Sequence, residues 1–105
     1  MTGVTAVPSD EQMRALGFTD HREGHWYLCR RVDSDTTLNV SIDKSTGRWR
    51  EDVLNEFFGQ PEPYDSMREP HRTNIRDRID VIVAELASAG ITIEVRHDAY
   101  RMPSR

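Results

Sequence analysis

His21, His25 and Cys29 are spaced H-x3-H-x3-C, the residue types that ligate zinc. On a helix that spacing would stack all three on one face. Gly24 and the run Trp26-Tyr27-Leu28 instead predict a strand. Strand positions four apart lie roughly 13 Å from one another, at ~3.3 Å per residue. Ligands that far apart cannot share an ion held at ~2.0–2.3 Å. No metal site and no cofactor are expected. Cys29 with a distant histidine would form a nucleophile pair only by tertiary coincidence, and a small buried thiol is the expectation. Glu51 with Asp52, and Asp33 with Asp35, are paired carboxylates. Neighbours along a strand point to opposite faces, so adjacency alone gives Glu51 and Asp52 no shared substrate. No Ser sits in a G-x-S-x-G elbow, and no glycine-rich loop suggests a phosphate cradle. Non-enzymatic action is the expectation.

These residues must be held by a small set of elements. Residues 1–8 read as a mobile tail. Ser9-Asp10-Glu11-Gln12 is a capping box, opening a short helix that places Met13 and Leu16 inward and stops at Gly17. A helix this short must dock to persist, and Phe18 is its anchor. From Trp26 the period changes to two. Trp26, Leu28 and Val32 share one parity, and Leu38, Val40 and Ile42 alternate with Asn39, Ser41 and Asp43. Trp49, Glu51 and Val53 alternate with Arg48, Arg50 and Asp52. Turn residues at 33–35 and 43–47 make these three strands an antiparallel meander. Ile75, Ile79, Ile82, Val83 and Leu86 recur at helical spacing up to a stop at Gly90, and Ile91, Ile93 and Val95 suggest a final strand. The expected class is α+β in the order α-β-β-β-α-β, an antiparallel sheet packed against one long helix. It occupies one domain over residues 9–97, with a C-terminal tail at 98–105.

Length and composition bound the rest. The 105 residues suit one domain, and 36% apolar residues allow one small core. No apolar run approaches the ~18 residues of a membrane span, and the first ten residues lack the basic and apolar blocks of a signal peptide. A cytoplasmic setting without membrane contact is expected. The net charge of −4 argues against direct nucleic-acid binding.

The charge is not evenly spread. Glu51, Asp52, Glu56, Glu62, Asp65 and Glu69 face a single base, Arg68, over residues 51–69. The segment also carries Phe57, Phe58 and Tyr64, and its prolines forbid a regular helix. An ordered loop packed on the domain is expected. Arg72, Arg76 and Arg78 follow at the start of the long helix, where cations oppose the macrodipole by roughly 0.3–1 kcal/mol each. Two arrangements remain open. In one, the loop acids pair with these arginines and Arg76 pairs with Asp80. In the other, Glu51, Asp52, Glu56, Phe57, Phe58, Glu62, Tyr64 and Asp65 form a partner-binding surface, aromatics inside a charged rim, suited to a basic protein.

Two resemblances accompany this reading. Leu16-Gly17-Phe18, Trp26-Tyr27, the stretch Asp52-Val53-Leu54-Asn55-Glu56-Phe57-Phe58-Gly59-Gln60-Pro61, Tyr64-Asp65 and the close at Ala89-Gly90-Ile91 form one set. It resembles small uncharacterised proteins of phages and mobile elements of Gram-positive bacteria, with Glu62-Pro63 inserted before Tyr64. That resemblance implies a mobile-element accessory role, such as inhibition of a host defence nuclease in the manner of anti-CRISPR proteins. The second set is Leu16-Gly17-Phe18, Gly24-His25 opening a strand, then the meander and a helix. It resembles the HicA-type toxins, small ribonucleases with a double-stranded-RNA-binding-like fold, and implies His25 as catalytic base. The serine of that family's G-S-H signature is absent. The leading expectation is a small acidic protein-binding module. A His25 ribonuclease and a homodimeric scaffold are the alternatives.

Overall fold

A computed structural model describes residues 2–102. The element order is β1 (Thr2–Val4), α1 (Asp10–Ala15), β2 (His25–Arg31), β3 (Thr36–Asp43), β4 (Arg48–Asn55), β5 (Gln60–Pro61), a 3-10 turn (Tyr64–Ser66), α2 (His71–Ser88) and a second 3-10 turn (His97–Tyr100). The fold is α+β. All strand pairs are antiparallel, in the order β1-β4-β3-β2, with β5 also on β4. α2 is the long helix, and its Ile75, Ile79, Ile82 and Leu86 are buried.

The period-two reading of the meander gives its sidedness. Trp26, Leu28, Leu38, Val40, Ile42, Trp49 and Val53 are each at most 5% exposed and share one core with α2, Met13 and Phe18. Each such side chain contributes about 1.5–3 kcal/mol on burial. The capping box forms: Ser9 Oγ accepts from the Gln12 amide at 3.3 Å, and the Gln12 side chain reaches back to the Ser9 amide at 3.1 Å. Gly47 closes the β3–β4 turn with φ of 73°, and a Cβ there would stand 2.0 Å from the Thr5 carbonyl. Only glycine fits that approach.

The structure departs from the sequence reading in four places. Residues 2–4 are not a free tail: β1 pairs with β4 from Thr2↔Arg50 to Val4↔Arg48, and Gly3 lies against the Trp49 ring. The expected final strand does not form. Ile91 and Ile93 are buried as the alternation requires, yet the segment forms no ladder, and the Thr92 amide donates to Thr5 Oγ1, one residue beyond β1, at 2.8 Å. Alternating burial can be satisfied by an irregular segment without a ladder. The C-terminal stretch is likewise docked as far as Met102; positions 103–105 of the expected tail, like Met1, lie outside the described residues. Cys29 is exposed rather than buried, because its parity puts it on the sheet face that no helix covers.

Two of the three arginines at the start of α2, Arg72 and Arg76, meet acids of the preceding segment, as the first of the two arrangements expects in part. Arg72 donates to Glu69 at 2.7 Å, and Arg76 lies 3.7 Å from Asp65. Arg76 does not turn to Asp80, which instead bonds His97.

Candidate functional site

The eight residues expected to form one surface separate into three groups. Glu51, Glu62, Tyr64 and Asp65 are buried, at 2%, 8%, 0% and 3% exposure. They belong to the interior. Asp52 is exposed on the opposite face of β4 from Glu51, as alternation demands. Glu56, Phe57 and Phe58 stand at the tip of the β4–β5 hairpin.

The interior group holds three of the six acids of residues 51–69, Glu51, Glu62 and Asp65. Asp65 accepts from Arg101 at 3.0 and 2.7 Å and faces Arg76. Tyr100 donates to Glu51 at 2.8 Å and accepts the Val53 amide at 3.1 Å. Tyr64 bonds His97 Nδ1 at 2.6 Å, and His97 Nε2 bonds Asp80 at 2.8 Å. Burial pushes both phenols above the ordinary tyrosine range, reinforced at Tyr100 by the hydrogen bond to Glu51 and at Tyr64 by the charges of Glu51, Asp65 and Asp80. The order Asp80–His97–Tyr64 resembles a proton relay. The phenol at its end is wholly enclosed, and the bonds tie α2 to the two 3-10 turns.

The hairpin tip is built differently. Phe57 and Phe58 are each 76% exposed. Asn55 Oδ1 accepts both of their amides, at 3.0 and 3.2 Å, and Asn55 Nδ2 donates to Glu62 at 2.7 Å. The Gly59 amide returns to the Asn55 carbonyl at 2.8 Å, with φ of 62° at Gly59. The tip is therefore a fixed turn carrying two unburied rings. The Glu56 amide bonds the Asp35 carbonyl at 2.7 Å, and Arg31 grips the Glu56 carboxylate through two bonds of 3.0 Å. Those contacts tie the 33–35 turn to Glu56, the neighbour of the rings. Asp35 thus joins the rim, although sequence distance hid it, whereas Asp33 lines a separate groove with His71, Asn74 and Arg78 of α2; the register of the meander, with Thr36 opposite Asn55, was the usable signal.

The uncovered sheet face carries the remaining polar residues. Tyr27, Ser41 and Arg50 form one cross-strand row, and Cys29, Asn39 and Asp52 the next. These rows floor a groove of about 450 Å³ walled by Thr19 and His21. His21 lies 5.1 Å from the Tyr27 ring and bonds Thr19 at 3.0 Å. His25 sits 3.8 Å from Asp43. Hydrogen bonds from the Ser45 hydroxyl and the Thr46 and Ser45 amides hold the Asp43 carboxyl at about 2. No group of three potential metal ligands occurs among the described residues. No helix among them is long and apolar enough to cross a membrane.

No family model matches the chain, and no curated protein does. A solved structure does match: the crystal structure of a DUF1831 family protein from Lactobacillus plantarum, at 1.20 Å resolution. The TM-score is 0.68 at 13% identity, over 86% of this chain and 82% of that one. At that identity the likeness is one of fold. It adds no residue roles to the tip, the interior network or the sheet face.

Proposed function

We propose that this chain is a non-enzymatic protein-binding module whose contact centre is the Phe57–Phe58 tip. The carrying observation is the pair of rings, each 76% exposed, on a turn fixed by Asn55 and Gly59. Leaving two phenylalanines in water forgoes about 1.5–3 kcal/mol apiece. Fixing them beforehand lowers the ordering cost of association. Aromatic anchors within a polar rim are the usual energetic centre of an interface. The rim is Asp35 and Glu56, with Arg31 bonded to the Glu56 carboxylate. It suits a basic partner, steered by charge and held by the rings. Of the eight expected contact residues, Glu51, Asp52, Glu62, Tyr64 and Asp65 drop out, and Asp35 is added.

A mobile-element accessory role, including inhibition of a host nuclease, is the setting that the sequence resemblance supplies for this module, to which the composition of the chain adds a cytoplasmic location. The His25 ribonuclease reading has a half-exposed imidazole on the open sheet face in its favour. It predicts growth arrest on expression, relieved by His25→Ala. The binding module predicts normal growth and no RNA cleavage. A homodimer through the same rings would give twice the monomer mass in sedimentation, reverting on Phe57→Ser/Phe58→Ser.

The deciding experiment is crosslinked affinity capture from the native host, run in parallel with wild type, Phe57→Ser/Phe58→Ser and Asp35→Lys. We expect one partner, basic in charge, that both variants lose. The exposed positions should leave stability within about 0.5 kcal/mol of wild type. Equal recovery by all three proteins would overturn the reading.

A further inference from the structure

The open sheet face carries features that a protein-binding tip does not use. Arg48, Arg50 and Asp52 alternate along β4 on that face, and none of them makes an ion pair among the described residues. Arg50 is shared by two adjoining grooves. The first, of about 450 Å³, holds Tyr27, Asn39, Ser41 and Asp52. The second, of about 520 Å³, lies over β1 and is lined by Arg48 and Arg50 with the strand Thr2–Val4. Both volumes fall within the ~300–1,000 Å³ of small-ligand sites.

We propose that this face binds a nucleoside monophosphate, with guanine as the preferred base. The phosphate lies between Arg48 and Arg50, whose guanidinium forks suit its oxygens. The base lies over β3, flanked by the Tyr27 ring, with the His21 ring 5.1 Å beyond it. Asp52 and Asn39 are register partners at the far end of the groove. A carboxylate there accepts the paired N–H donors of a guanine edge, which adenine lacks. From Asp52 to Arg48 the strand runs roughly 13 Å at ~3.3 Å per residue, a span that a mononucleotide bridges end to end. The chain's net charge of −4 and the acid at one end of the groove favour a mononucleotide over a polynucleotide. This site is independent of the Phe57–Phe58 tip.

Cys29 supplies the probe, since it is exposed and stands in the row of Asn39 and Asp52. Alkylation of Cys29 in the full chain is timed with guanosine monophosphate, adenosine monophosphate, inorganic phosphate and a short single-stranded oligonucleotide, alongside calorimetry on the unlabelled protein. Guanosine monophosphate should slow alkylation about tenfold at saturation and bind more tightly than about 1 mM. Arg50→Ala should weaken it about tenfold, and Asp52→Asn should erase the preference over adenosine monophosphate. Four results would overturn the proposal: no protection and no heat with guanosine monophosphate, equal protection by phosphate alone, equal binding of the adenine nucleotide, or tighter binding of the oligonucleotide. The wild-type arms decide the matter even if a variant folds poorly.

Discussion

The hydroxyl of Tyr100 donates to the carboxylate of Glu51 at 2.8 Å, joining residues 49 positions apart. The same oxygen accepts the Val53 amide, at the stretch of β4 edge between the segments paired with β1 and β5. One phenol thus completes a strand edge and serves a buried acid. Tyr100→Phe should lower stability by about 1–3 kcal/mol, because it removes partners from two groups that have left water. Urea unfolding of the two proteins measures it. A change below about 0.5 kcal/mol would mean that the bond is dispensable.

Alkaline pH should unfold the protein through its buried phenols. Both Tyr64 and Tyr100 are held above the ordinary value of 10.0 in the folded state. A raised folded-state pKa gives stability that is fully present below the unfolded value and lost as pH rises towards the folded one. Stability should therefore be flat on approach to about pH 10 and fall beyond it. The ultraviolet signal of these two phenolates should rise together with loss of circular dichroism. Ionisation near pH 10 with the fold intact would contradict the buried placement.

Asp65 holds the C-terminal segment to the domain through Arg101, while the adjacent Ser66 hydroxyl accepts the Met102 amide at 2.7 Å. Both arginines around Asp65 are partly exposed, Arg76 at 46% and Arg101 at 61%, so deleting the acid strands no buried cation. Asp65→Ala should cost about 1–3 kcal/mol rather than the larger sum for a stranded charge. It should also speed trypsin cleavage after Arg101. Unchanged cleavage at that bond would show that the segment is held by other contacts.

The parts of the fold legible in the sequence are those with a local cause. The capping box, the three-strand alternation and the Ile75–Leu86 stripe each follow from spacing alone. What the sequence concealed was non-local. The place of β1 depends on Gly3 fitting against Trp49 and on Gly47 meeting Thr5, contacts that no window reveals. The alternating burial of Ile91 and Ile93 is met without a ladder, so 91–96 stays irregular. The acidic segment was found as a segment, but its acids scatter by environment. Glu51 and Asp65 lie inside because Tyr100 and Arg101 reach them from the far end of the chain. Of the expected contact residues, Glu56, Phe57 and Phe58 alone share the tip. Asp52 turns to the other sheet face, as the alternation along β4 requires.

The most direct test places a photoreactive phenylalanine at position 57 in the protein expressed in its native host. A matched control carries it at position 81, where Val81 is 55% exposed on α2. The account predicts one dominant adduct from position 57, with a basic protein, absent from position 81 and from a position-57 probe in an Asp35→Lys background. The same scattered adducts from both positions, or none from position 57, would contradict it.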